Sequence, residues 1–192
     1  MTGGQNTDSK PRVILFKSQS CPHCPGVLKI FRQLEQQGRL AGLKVYDVAS
    51  DDELAAQYGV RSVPWFKIGT LEFQGLHSAA ELGYWVAHAG STEGIKKYII
   101  EQLEAGRLHG VAKRLKTDPV WQTVMLEIIA DLHSPMQARI GIGAILEGLA
   151  GDPLLVSLIP ALGKLSRHAE HSVRIDACHY LCLLYTSDAA DE

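Results

Sequence analysis

Apolar residues follow two different periods along this chain, and the change between them divides it near Gly90. Before that point, short apolar runs are separated by helical patterns. RVILF, from Arg12, predicts a strand; Pro25 to Gln37 predicts a helix; LKVYDV, from Leu43, predicts a second strand. A short helix is expected over Asp52 to Tyr58, then PWFKI and LEFQG as paired strands across a Gly69-Thr70 turn, then a helix from Ser78 to His88. The order is βαβαββα, an α/β fold. Beyond Gly90 the strand pattern is gone. Apolar residues recur at three and four in GIKKYIIEQLEAGRL, DPVWQTVMLEIIADL, PMQARIGIGAILEGLA, DPLLVSLIPALGKLS and SVRIDACHYL, so the second half reads as all helical.

Two of those helices open with Asp-Pro, at Asp118-Pro119 and Asp152-Pro153, which predicts an aspartate N-cap with proline at the first helical position. A fixed shift lays ARIGIGAILEGL, from Ala138, over VRIDACHYLCLL, from Val173, each with an arginine near the start of a helix. Pro160, inside VSLIPALGKL, is expected to bend its helix. The Asp-Pro start, the internal proline and the VRIDA opening resemble HEAT repeats over residues 119–181. Residues 91–118 are then connecting helices. An ordinary antiparallel bundle is the plainer alternative.

Composition adds exclusions. The chain has 192 residues, 46% hydrophobic and 21% charged, with a formal net charge of −2, so charge supplies no reason to expect nucleic acid or an anionic membrane as partner. Lys96-Lys97 and Lys113-Arg114-Lys116 read as solvated helix faces. Residues 1–11 are polar and Gly-rich, a flexible tail without the apolar core of a secretory signal, and no apolar run reaches membrane-spanning length. A cytoplasmic protein is the expectation. In that compartment a close cysteine pair is more often catalytic or metal-binding than structural.

Such a pair stands in SQSCPHCPGVLKIF, where Cys21 and Cys24 flank Pro22 and His23 at the change from strand to helix. It is a redox centre, half of a metal site, or two small buried residues. A cysteine at a helix N-terminus lies beside unpaired N–H groups and the positive end of the helix dipole, which favour thiolate. Cys21 takes that position, and Cys24 follows one turn in, shielded yet within reach. Pro22 fixes φ and removes an N–H; a protonated His23 adds a cation. Both favour the reduced form. A zinc site needs four ligands, and His168, His171, Cys178 and His179, in the helical half, read as surface and turn residues, so no metal is assigned. Cys178 itself reads as a small core residue, and Trp65, Trp85 and Trp121 as core aromatics, with Trp65 also placed to line a groove because it follows Pro64. His77 and His88 have no partner evident from sequence.

Together, VILFKSQSCPHC, SVPWFKIG and GLHSAAEL resemble the thioredoxin superfamily, with Lys17, four residues before Cys21, closer to its glutaredoxin branch. The match spans residues 12–90. The resemblance implies a central mixed four-stranded sheet, a nucleophilic Cys21, a resolving Cys24, a cis Val63-Pro64 loop that pairs with substrate backbone, and further substrate contacts at Trp65 and Gly75. Lys17, Pro22 and His23 would tune the centre. It implies no cofactor beyond the redox-active disulfide, and as partners a disulfide-containing protein and a thiol reductant or reductase. Leu15 stands where thioredoxin carries a buried acid, and Leu76 follows Gly75 where glutathione-using glutaredoxins carry a second glycine. The helical repeats would dock a protein partner. The alternative is an interaction scaffold in which the CPHC pair senses redox state and does not turn over.

The last stretch, CLLYTSDAADE, residues 182–192, resembles the in-frame translation of a transposase adapter used in shotgun library preparation. That resemblance marks it as an adapter-derived tail.

Overall fold

The computed structural model describes the backbone of residues 10–188 and the side chains of residues 10–183. Most of the tail at residues 1–11, and residues 189–192, lie outside the described residues. The chain forms two compact units that divide between Ile95 and Lys96.

In the first unit the strands are β1 (Arg12–Lys17), β2 (Gly42–Asp47), β3 (Trp65–Ile68) and β4 (Leu71–Gln74), and the helices α1 (Cys24–Gln36), α2 (Asp52–Gln57) and α3 (Ala79–His88). They form one mixed sheet in the order β2-β1-β3-β4, with β1 parallel to β2 and antiparallel to β3. The continuous apolar run of β1 is a strand buried on both faces. Val13 and Leu15 are 1% and 0% exposed on the face that α1 and α3 cover. There a line of rings runs from Phe31 on α1 through Phe66 and Phe73 to Trp85 on α3, with centroids 5.2, 5.4 and 5.2 Å apart. On the opposite face Phe16 meets Tyr46, Tyr58 and Trp65 at 5.3, 5.6 and 5.6 Å, closed over by Leu54 and Ala55 of α2.

Local chemistry terminates these elements. Gly69, at φ 59°, takes the first position of the two-residue β3–β4 turn, where a type II′ hairpin needs positive φ. Ser78 caps α3: its hydroxyl accepts the Glu81 N–H at 3.2 Å, while the Glu81 carboxylate accepts the Ser78 N–H at 2.7 Å. The outer edge of β2 is blunted by side chains, Glu35 accepting the Leu43 N–H and Asp51 the Asp47 N–H, both at 3.0 Å.

Beyond α3 come α4 (Thr92–Glu104), α5 (Leu108–Leu115), α6 (Pro119–Ala130), α7 (Met136–Glu147), α8 (Pro153–Leu165) and α9 (His171–Asp188). In the second unit α6 packs on both α7 and α8, and α7 on both α5 and α9, so alternate helices lie side by side. Asp118 and Asp152 are N-caps, accepting the N–H groups of Val120 and Leu154 at 3.1 and 2.9 Å. Helix α8 continues through Pro160, which is exposed. Gly141 lets α7 approach closely: a Cβ there would lie 3.1 Å from the Leu103 side chain and 3.2 Å from that of Leu108.

The structure corrects one reading, that of Cys178, and adds to two others. Lys96 and Lys116 are ion-paired, with Asp131 at 2.9 Å and Asp152 at 2.6 Å, and are more than solvated charges. Cys178 is exposed, because the buried stripe of α9 passes through Val173, Ala177 and Tyr180 and leaves the next position turned outward. Helix α9 runs through Asp188, into the stretch assigned to the adapter-like tail.

The Asp152 carboxyl is held below the usual carboxylate range by its bond from Lys116 and then by the Leu154 N–H. Its folded pKa lies below the unfolded one, so the stabilisation is present at neutral pH and lost as pH falls through the acid range. Asp152→Ala is expected to lower stability by about 1 kcal/mol at neutral pH. Asp152→Asn, which keeps a capping oxygen, should lose less. Urea unfolding of the full chain, followed by circular dichroism, checks both, and the deficit should shrink in acid.

Candidate functional site

The cysteine pair lies in the loop that joins β1 to α1. A turn closed by the Cys21 N–H on the Ser18 carbonyl, 3.3 Å, brings Cys21 back toward the start of the helix. Cys24 is the first residue of α1, so Cys21 precedes the helix and is not its first turn. His23 occupies the N-cap without a side-chain cap bond, and Pro25 in the first turn has no N–H to offer. The Cys24 N–H meets Cys21 Sγ at 3.1 Å. One of the helix's unpaired donors is therefore directed at a sulfur. The two cysteines form a disulfide, with Cα atoms 5.5 Å apart.

Their exposures differ. Cys21 is 9% exposed and Cys24 1%, because Cys24 opens the buried stripe of Val27, Phe31 and Leu34. Pro22 and His23 are exposed. Across the loop, the Val63 carbonyl oxygen lies 3.7 Å from Cys21 Sγ, and the Val63-Pro64 peptide bond is cis. The Pro64 carbonyl accepts the Gly75 N–H at 2.8 Å, and Gly75 has φ 87°, a conformation that side chains disfavour. Cys21, Val63, Pro64 and Gly75 are thus linked in one short chain of contacts. Leu76, the next residue, is 64% exposed.

Other candidates lie elsewhere. Trp65 is 6% exposed, its ring packed 5.6 Å from both Phe16 and Tyr58 beneath the loop. The Lys17 ammonium pairs with Asp47 at 2.8 Å, and that bond, with the Ala49 N–H, holds the Asp47 carboxyl below its ordinary range. Asp47 was not evident from sequence, since only the parallel register Lys17↔Asp47 places it there. His77 lies edge-on to Phe66 and Phe73, and His88 stacks on Tyr84 with its Nδ1 2.8 Å from the Tyr84 carbonyl. Among the described residues no group of three or more His, Cys, Asp or Glu side chains is placed to hold a metal.

Residues 12–87 match the thioredoxin domain family. The chain is also 30% identical, over 69 residues, to the thioredoxin of Methanocaldococcus jannaschii, an alignment covering 35% of this chain and 81% of that protein. The chain belongs to the thioredoxin family. Its thioredoxin domain carries the sheet, the α1 start and the cysteine pair just described, so at family level the chemistry is thiol–disulfide exchange. The matched span stops before α4, and the helical unit falls outside it. Among the described residues no helix is long and apolar enough to cross a membrane.

The unequal exposure within the thioredoxin domain predicts unequal reactivity. After reduction, iodoacetamide should modify Cys21 faster than Cys24, by on the order of tenfold or more, because attack needs an accessible thiolate. Time-resolved peptide mass spectrometry measures the two rates.

Proposed function

We propose that this protein is a thiol–disulfide oxidoreductase in which the Cys21 thiolate attacks and Cys24 resolves. The observation that carries the assignment is the Cys24 N–H at 3.1 Å from Cys21 Sγ. A donor aimed at one sulfur stabilises negative charge on that sulfur, which is also the more exposed of the two. In the reductive direction, the Cys21 thiolate attacks one sulfur of a substrate disulfide. A Cys21–substrate disulfide forms and the other substrate sulfur leaves as thiolate. Cys24 loses its proton and attacks Cys21 Sγ, closing the Cys21–Cys24 disulfide and expelling the second substrate sulfur. The substrate gains two electrons and the pair loses them; a thiol reductant or reductase returns them.

Val63, Pro64 and Gly75 are assigned to the extended backbone of the substrate, with Trp65 backing the loop from inside the core. Pro22 and His23 tune the pair directly. Lys17 contributes through its bond to Asp47. No cofactor beyond the disulfide enters this scheme. The substrate is a disulfide-containing protein, the setting is cytoplasmic, and the helical unit docks a protein partner.

Turnover is the deciding test. With dithiothreitol supplied, the full chain should reduce insulin disulfides through many cycles. A single stoichiometric switch would identify a sensor and overturn the enzyme reading. Cys24→Ser should accumulate a mixed disulfide visible by mass spectrometry, while Cys21→Ser should be inert; equal trapping by both would reverse the roles.

A second expectation concerns His23. When protonated, the exposed His23 ring adds positive charge that stabilises the reduced pair, so His23→Tyr should make the couple more reducing, by about 30 mV for each ~1.4 kcal/mol of stabilisation removed. Redox titration against glutathione measures the shift, and an unchanged or more oxidising couple would contradict it.

A further inference from the structure

Helix α7 is apolar on more sides than its neighbours use. Its buried face takes Ala138, Gly141, Ile142, Ile145 and Leu146. Opposite that face, Met136 is 75% exposed and Ile140 60%, and Ala144 continues the same row; Leu132, 43% exposed, stands in the turn before the helix. The spacing of four makes Met136, Ile140 and Ala144 one continuous ridge.

The ridge borders a groove of about 690 Å³ whose other wall is α9, with Ser172, Asp176, His179 and Tyr180. That wall is polar and anchored. Arg139 crosses the floor to Asp176 at 2.5 Å, and His179 Nε2 lies 3.2 Å from Glu147. Burial and the nearby Asp176 push the Tyr180 hydroxyl up to about 12, so it stays a neutral donor. Arg139 neutralises Asp176, which leaves Glu147, its side chain 57% exposed beside the His179 ring, as the one carboxylate in excess of the guanidinium. At the head of the groove Ser134 is 7% exposed, and its hydroxyl has no hydrogen-bond partner among the described residues.

We infer that this groove receives an amphipathic helix of a protein partner, its apolar stripe on the Met136–Ile140–Ala144 ridge and its lysines or arginines toward the exposed Glu147. The inference rests on the docking role proposed above for the helical unit and adds its location and the partner's chemistry. A helix fits because Met136, Ile140 and Ala144 repeat at helical spacing over about two turns. A basic partner fits because the one carboxylate in excess, Glu147, is the exposed charge of the groove, and a negative charge there disfavours nucleic acid.

The test uses the full chain and a fluorescein-labelled peptide of about 16 residues, with leucines at i, i+4 and i+8 and lysines on one flank. A matched peptide carries glutamates in place of the lysines. Anisotropy should show the lysine peptide binding at least about tenfold more tightly than the glutamate peptide. Ile140→Asp should weaken it by on the order of tenfold or more. Glu147→Lys should shift preference toward the glutamate peptide. Val156→Asp, on α8 at a position 59% exposed, should leave binding unchanged. All three positions are exposed, so the fold should survive, and circular dichroism checks it.

Absence of binding, equal binding of the two peptides, or indifference to Ile140→Asp would each overturn the assignment. Binding lost in Val156→Asp but kept in Ile140→Asp would leave the docking role standing and move it to α8. A wild-type dimer that Ile140→Asp converts to monomer in sedimentation would make a second copy the occupant and overturn the partner. Insulin turnover, measured on the same variants, should not change, which separates this result from the fate of the redox reading.

Discussion

The register across β1, β3 and β4 is the constraint on which the thioredoxin domain depends. Phe16 lies opposite Trp65, and Trp65 opposite Gln74. Because β1 and β3 run antiparallel, the chain leaving β1 toward the cysteines emerges beside the chain entering β3 at Pro64. The chain leaving β4 at Gly75 emerges at the same end. A slip of one residue would turn every side chain to the opposite face and separate these loops. The register is held because β1 is buried on both faces, Leu15 under one helical layer and Phe16 under the other, each 0% exposed.

The rings that fill both faces secure that register and orient α1. Edge-to-face and offset ring pairs are worth about 0.5–1.5 kcal/mol each beyond area burial. Phe31 on Phe66 ties the middle of α1 to β3. Its first residue, Cys24, is buried at the head of the same stripe, so core packing determines where the Cys24 N–H points. The chemistry of the pair is in this sense a product of the core. His23 and Pro25 refine it by leaving the helix start without a competing side-chain cap.

The helical unit is held by a different device. Three cation–aspartate pairs, Lys96–Asp131, Lys116–Asp152 and Arg139–Asp176, join residues 35, 36 and 37 positions apart. Each connects a helix to structure two helices or more further on, and each stands beside buried apolar contacts. Exposed pairs of this kind add little to stability singly. Their near-constant separation accompanies the side-by-side packing of alternate helices. The surplus apolar ridge of α7 arises from the same architecture, because two neighbours and a paired helix cannot enclose every side of it.

The sequence by itself determined the order of elements, the change at Gly90 from strands to helices, the aspartate caps and the cysteine pair at a strand-to-helix junction. Those features are local: periodicity, proline and glycine geometry, and capping chemistry act within a few residues. Tertiary structure alone decided what lies far apart in the chain and close in space. It placed the Lys17 ammonium on Asp47, the Val63 carbonyl beside Cys21 and the Gly75 N–H on Pro64, since strand register sets each contact. Spacing made Cys178 a core residue in a run of apolar neighbours, and the turn of α9 exposed it. Of the two readings that sequence left for Trp65, core aromatic and groove lining, packing chose the core. Both outcomes have the same physical reason. A helix or strand presents only some of its faces to the interior, and which faces those are is decided by the elements packed against it.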